Sequence, residues 1–155
     1  MDLNLSSLLS PATVTLDLAA SAKKDVLAEM VDLLVKAGRV KDRDEYLKSV
    51  VERESLGSTG IGMGIAIPHG KSDVITEVTI AFGRSAAGID FEALDDKPVH
   101  LVFLLAAPRN VGGVYLKALA QLSRLLRRQD FRQNLMNAAS EADVLAILTS
   151  GELDR

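Results

Sequence analysis

The chain of 155 residues contains no cysteine and no tryptophan, and its only aromatic side chains are four phenylalanines and two tyrosines. Without thiols there is no disulfide framework, no thiolate zinc site and no cysteine nucleophile, and a reducing compartment is the natural setting. Two histidines, His69 and His100, are the only imidazoles, too few to hold zinc without cysteine. We expect no metal and no cofactor. Long apolar runs are missing as well. The longest, Val99 to Ala107, is strand-sized and includes His100, whereas a bilayer-spanning helix needs about 20 residues. The start, MDLNLSSLLSP, has Asp2 and no early Lys or Arg, unlike the basic flank of a secretory signal. A cytoplasmic protein without membrane insertion is the expectation. Excess positive charge is also lacking: the formal net charge is −3 and the pI about 5.4. That argues against nucleic acid as a partner.

What is present is the mixture of an ordinary globular chain, 48% hydrophobic and 25% charged, at a length suited to one domain. The helical signals come first. Ser21 is placed to cap a helix carrying Val26, Leu27, Met30, Val31 and Leu34, with Gly38 as its stop. Asp42 is placed to cap a second helix through Tyr46, Leu47, Val50 and Val51 to about Leu56. In the middle, Val78, Ile80 and Phe82 alternate with Thr79 and Ala81, predicting a strand with one more apolar face. Val99 to Ala106, ending at Pro108, reads as a central strand covered on both sides. The intervening AAGIDFEALDDKP reads as a loop with a short extended piece. Leu116, Leu119, Leu122, Leu125 and Leu126 then form an amphipathic stripe, and Phe131 to Ala139 a short helix. Ser140 followed by Asp143 marks the start of a last helix through Leu145 and Leu148. Arg124, Arg127, Arg128 and Arg132 are spaced for one helix face; they read as a solvated face or as a docking edge for an acidic partner. The order of elements predicts an α/β fold, helices packed on a central sheet.

The segment from Gly57 to Gly70, GSTGIGMGIAIPHG, is too rich in glycine for a helix and too apolar for a surface linker. Glycines permit positive φ and let backbone N–H groups approach an anion. A nucleotide-binding loop fails on spacing. Gly64 and the Gly70-Lys71-Ser72 run enclose five residues where a Walker A motif needs four, and a dinucleotide fingerprint would need glycine at Ile67. Nor is GSTG a serine-hydrolase elbow. The one reactive side chain in the segment is His69, between Pro68 and Gly70. Neutral imidazole is a good nucleophile near pH 7, and phosphoryl transfer needs chiefly alignment and donors for the non-bridging oxygens. A structural role for His69 is the alternative.

The run ERESLGSTGIGMGIAIPHGKS, Glu52 to Ser72, resembles the active-site segment of type-2 enzyme IIA domains of the bacterial phosphotransferase system, the mannitol, fructose and nitrogen-regulatory class. The resemblance continues through GIDFEALDDKPVHLVFLLAAP, Gly88 to Pro108, and covers about residues 5 to 150. It implies a single domain over 1–155, a central mixed β-sheet with helices on both faces, and His69 as acceptor of a phosphoryl group from the histidine-containing phosphocarrier protein. It implies Arg53 as a stabiliser of the phosphate or of the loop, against an alternative as a surface ion pair, and Gly60, Gly62, Gly64 and Gly70 as the phosphoryl-binding loop. Two departures stand out. Met63 replaces a usual asparagine, and Tyr115 occupies the place where many members carry a second histidine. Tyr115 can donate a hydrogen bond but brings no positive charge, and a core-packing role is its alternative. His100, at a position more often acidic in the family, reads as a hydrogen-bonded structural histidine. LGSTGIG followed by GIAIPHGK most resembles the nitrogen-regulatory branch. The expected function is therefore a regulatory phosphocarrier acting on downstream protein targets. A sugar-specific transport component, a phosphorylation-independent binding module of the same fold and a small-anion-binding enzyme are the alternatives.

Overall fold

A computed structural model describes residues 4–153 of the chain. Two short 3-10 turns, Leu5–Leu8 and Pro11–Thr13, lead into β1 (Val14–Thr15), followed by helices α1 (Lys23–Lys36) and α2 (Arg43–Ser55). The glycine-rich segment then forms three very short strands, β2 (Gly60–Gly62), β3 (Ile65–Ala66) and β4 (His69–Lys71). Two long strands, β5 (Thr79–Ile89) and β6 (Val99–Ala107), precede α3 (Val114–Leu126), α4 (Gln129–Asn137) and α5 (Glu141–Leu153).

The sheet is mixed, with order β1-β5-β6-β3-β2, and β4 also pairs with β6. β5 runs antiparallel to β6, whereas β3 and β4 both run parallel to it along its other edge. Both faces of β6 are buried, as its unbroken apolar run predicts. Alternate residues divide between two cores. Leu101, Phe103, Leu105 and Ala107 pack with Tyr115, Leu122, Phe131 and Leu148 on the side of α3, α4 and α5. Val102, Leu104 and Ala106 pack with Val26, Met30, Leu34, Tyr46 and Val50 on the side of α1 and α2. This is the expected α/β architecture with helices on both faces.

Local chemistry explains the helix limits. Gly38 at φ +77° ends α1, its N–H bonding to the carbonyl of Val35 and that of Arg39 to Leu34. Asp42 caps α2 by accepting from the N–H of Glu45 at 3.1 Å. Ser140 Oγ accepts from the N–H of Asp143 at 3.1 Å, and the Asp143 carboxylate accepts from the N–H of Ala139 at 2.9 Å.

Several expectations need correction. The N-cap of α1 is Ala22 with no side-chain bond, not Ser21. β5 starts at Thr79, so Val78 lies outside it, and it runs on through Ala86 to Ile89 where a loop was expected. Both of its faces are covered: Ile80 and Phe82 lie in one core, Ala81 and Ile89 in the other. Leu116 points to solvent, 65% exposed, and the buried stripe of α3 runs instead through Tyr115, Ala118, Leu122, Leu125 and Leu126. Val51 likewise sits at the exposed side of α2. The four arginines do not share a helix: Arg127 is the C-cap of α3 and Arg128 the N-cap of α4. Arg132 Nη1 donates to the carbonyls of Leu126 and Arg127, tying that corner together.

Candidate functional site

The site grows out of the break at Pro68. β3 and β4 pair with the same edge of β6, Ile65 opposite Leu101 and His69 opposite Leu105. Proline has no N–H for a ladder, so the strand is interrupted between them. The Ile67 carbonyl at this break contacts His69 Nδ1 at 2.8 Å. A carbonyl offers only lone pairs, so the contact is a hydrogen bond when Nδ1 carries the proton. In the neutral ring, Nε2 then holds the free lone pair. Ile67 is itself fixed, its N–H donating to the carbonyl of Thr59 at 3.0 Å.

Register places His69 on the α3 side of the sheet. It pairs with Leu105, whose side chain lies in that core, and Gly70 between His69 and Lys71 faces Tyr46 and Val50 on the other side. Tyr46 Oη donates to the Gly70 carbonyl at 3.2 Å, which holds β4 against α2. The His69 ring meets the Tyr115 ring edge-on, with centroids 6.1 Å apart and planes at 65°. Tyr115 is 6% exposed and belongs to the core as well, so its packing role and its place beside His69 coexist. Lys71 lies two residues along β4 on the same face, with Nζ 4.9 Å from the centre of the Tyr115 ring.

Tyr115 is the second residue of α3, whose N-cap is Gly113 with no side-chain bond and whose first turn has no acidic residue. The first N–H groups of a helix lack intrahelical partners, and the helix dipole adds partial positive charge there. An anion donor set therefore opens next to His69.

Electrostatics favour the neutral imidazole. Burial holds the His69 pKa below its ordinary 6.5; the bond to Ile67 opposes this, the charge of Arg53 adds to it and that of Glu54 opposes it. Burial pushes the Tyr115 hydroxyl up to about 12, with Arg53 pulling the other way. At neutral pH Tyr115 is thus an uncharged donor. Arg53 donates through Nη1 to the Gly57 carbonyl at 3.0 Å and among the described residues makes no ion pair. That hydrogen bond ties the last turn of α2 to the start of the glycine-rich segment.

Sequence reasoning passed over Glu54. This 7% exposed carboxylate accepts from the Thr59 N–H at 3.1 Å and from the Thr59 hydroxyl, and Lys23 Nζ lies 2.8 Å away. A buried charge is tolerated only with such partners. The arrangement fixes Thr59, whose carbonyl holds Ile67, which in turn holds His69. The signal available was an acidic residue on the otherwise apolar side of α2. Lys71 was visible as part of a failed nucleotide motif and of the resemblance run, without a role of its own.

The glycines divide. Gly70 adjoins His69, but Gly62 and Gly64 flank Met63 in the β2–β3 hairpin turn, with φ of +97°, +76° and +59° respectively. That turn lies at the Leu101 end of β6, four residues or roughly 13 Å from His69 at about 3.3 Å per residue. Gly60 sits where a Cβ would come within 2.9 Å of Ala93 Cα. Gly62 and Gly64 shape a hairpin turn away from the imidazole, whereas Gly60 pairs with Ala66 of β3. His100 is hydrogen-bonded through Nδ1 to the Ser85 carbonyl at 2.8 Å, near Gly64 and Gly88, in keeping with a structural role. Among the described residues no cluster could hold a metal ion, and no helix is long and apolar enough to cross a membrane.

A family model described as "Phosphoenolpyruvate-dependent sugar phosphotransferase system, EIIA 2" matches residues 7–151. The fructose-specific EIIA component of Haloferax volcanii is 42% identical over 149 residues, which cover 96% of this chain and 97% of that protein. The fructose-specific EIIABC component of Bacillus subtilis is 43% identical over 146 residues, 94% of this chain but only 23% of that longer protein. Among solved structures, the nitrogen regulatory protein IIA-Ntr from Neisseria meningitidis superposes with a TM-score of 0.87 at 35% identity, covering 93% of this chain and 98% of that one.

Proposed function

The chain belongs to the EIIA 2 family of the phosphoenolpyruvate-dependent phosphotransferase system, and on that premise we propose that it is a cytoplasmic phosphoryl carrier with His69 as acceptor. The single observation that carries this reading is the Nδ1 bond to Ile67 at 2.8 Å, which leaves Nε2 as the nucleophile beside an uncapped helix N-terminus. The donor is the histidine-containing phosphocarrier protein. The N–P bond of its protonated phosphohistidine breaks, and the electron pair stays on the donor nitrogen, leaving a neutral imidazole. The new N–P bond forms at Nε2 of His69, whose ring becomes the imidazolium. No proton leaves Nδ1, so its bond to Ile67 persists and balances the new charge. Helix α3 supplies backbone N–H donors to the non-bridging oxygens, the Tyr115 hydroxyl supplies another, and Arg53 holds the loop and adds positive charge. Of the predicted loop glycines, Gly70 keeps its place at the site.

The test is intact mass after incubation with phosphoenolpyruvate, enzyme I and the phosphocarrier protein. One acid-labile phosphoryl adduct is expected on the wild type and none on His69→Ala. An unmodified wild type under conditions that load another family member would refute the carrier reading in favour of a binding module. Downstream, we propose a regulatory role read by other proteins, supported by the likeness to IIA-Ntr over nearly the full length of both chains. The identity to fructose-specific components favours a second reading, a transport component. Transfer from the loaded chain to a fructose-type IIB domain separates the two, since only the transport component should deliver rapidly.

A further inference from the structure

We propose that Lys71 is a catalytic residue of this site, supplying positive charge to the transferring phosphoryl group, with the Tyr115 ring as the seat that aims it. The proposal rests on His69 being the acceptor. His69 and Lys71 alternate with Gly70 along β4, opposite Leu105 and Ala107 of β6. Both side chains therefore rise from the same face, roughly 7 Å apart at their base. Each of them also touches Tyr115: the imidazole at 6.1 Å between ring centres, the ammonium at 4.9 Å from the ring centre. A lysine stem is long and flexible, and a buried ring gives its head a defined resting place through cation–π attraction.

Among the described residues Lys71 has no carboxylate partner. Its ammonium is therefore not committed to a structural ion pair. During transfer the negative charge is spread over the three non-bridging oxygens. A phosphoryl group on Nε2 would add those oxygens to a ring that already meets the Tyr115 ring edge-on. The ammonium can move from the ring face to them, replacing a weak contact by charge-assisted hydrogen bonds. Lys71 donates hydrogen bonds and gives up no proton. The aromatic residue at the second-histidine position is thus matched by a cation two residues beyond His69.

The experiment is rapid-quench transfer from the loaded phosphocarrier protein to wild type, Lys71→Met, Lys71→Arg, Tyr115→Leu and the double variant Lys71→Met with Tyr115→His. Far-UV dichroism and thermal melts check that each is folded. Lys71→Met should slow the chemical step by about a hundred- to a thousandfold, with little change in the donor concentration at half-maximal rate. Lys71→Arg should recover most of the loss. Tyr115→Leu should lose rate without losing the adduct, and the double variant should regain rate because the new imidazole takes the place of the ring beside His69. A folded Lys71→Met variant that transfers at the wild-type rate would overturn the proposal while leaving the carrier reading intact. A wild type that forms no adduct at His69 would instead remove the carrier reading, and this proposal with it.

Discussion

Replacing Met63 tests whether its departure from the family pattern concerns chemistry or backbone shape. Met63 and Gly64 are the two central residues of the β2–β3 turn, both with positive φ, +59° and +76°. That is the requirement of a type I′ turn, for which Asn-Gly is the preferred pair. A residue with a Cβ costs roughly 1–2 kcal/mol in the left-handed region, and asparagine recovers part of this through local hydrogen bonds. Met63 is also 46% exposed and lines a shallow recess with His100, Arg132 and Met136, so any replacement loses some apolar contact. Comparing Met63→Asn with Met63→Ala cancels most of that loss. The asparagine variant should be the more stable of the two by about 0.5–1 kcal/mol, or about 1–4 °C in Tm for a chain of this size. Urea unfolding with matched m-values measures the difference. Equal stabilities would refute the idea that the left-handed turn is the source of the asparagine preference. Since the turn lies well away from His69, Met63→Asn should accept the phosphoryl group at the wild-type rate. A tenfold acceleration would place Met63 in the transfer machinery after all.

Because burial depresses the His69 pKa, the folded ring stays neutral to lower pH than a free imidazole. Transfer onto it should hold its plateau below pH 6.5 and fall only as Nε2 protonates; an NMR titration midpoint at or above 6.5 would contradict this. The same shift adds stability that is complete above the unfolded value and lost as pH falls through the folded one. Lys23→Met leaves the Glu54 carboxylate at 5% side-chain exposure without its cation, and should cost about 2–3 kcal/mol in denaturant unfolding, somewhat less than for a fully buried pair since Lys23 is partly solvated. Gly60→Ala drives a methyl to 2.9 Å from Ala93 Cα, and should cost about 1–3 kcal/mol by overpacking; an unchanged midpoint would mean that the loop over β2 yields freely.

The parts of the fold legible in the sequence were those whose signal is local. Asp42, Gly38 and Ser140 act on backbone groups within four residues of themselves, so their helix ends could be read directly. β6 announced itself because burial on both faces leaves no polar alternation. The short strands β2 and β4 were invisible because three residues show no period, while the β-branched residues and proline of IAIPH suggested the extended piece that holds β3; all three exist through pairing with β6 and each other. Ala86 and Gly88 carry little hydropathy, so the far end of β5 looked like loop, although the ladder resumes with Ile89 opposite Val99. At the site, His69 stood out by chemistry and Tyr115 by resemblance. The partnership of Lys71 with Tyr115, and of Glu54 with Thr59, needed the strand register and the packing of α2 to become visible. Glycines that serve a turn and glycines that serve an anion look alike in one dimension, so the pattern alone could not separate Gly62 and Gly64 from Gly70.

The inner nitrogen of His69 is tied to a carbonyl only two residues back along its own chain. That tether is local in sequence and survives a change at the outer nitrogen. Loaded and empty forms of such a carrier would share one backbone frame and differ by a doubly charged group and the side chains that meet it. A partner that distinguishes them must read charge at contact distance, and the message vanishes with the group itself.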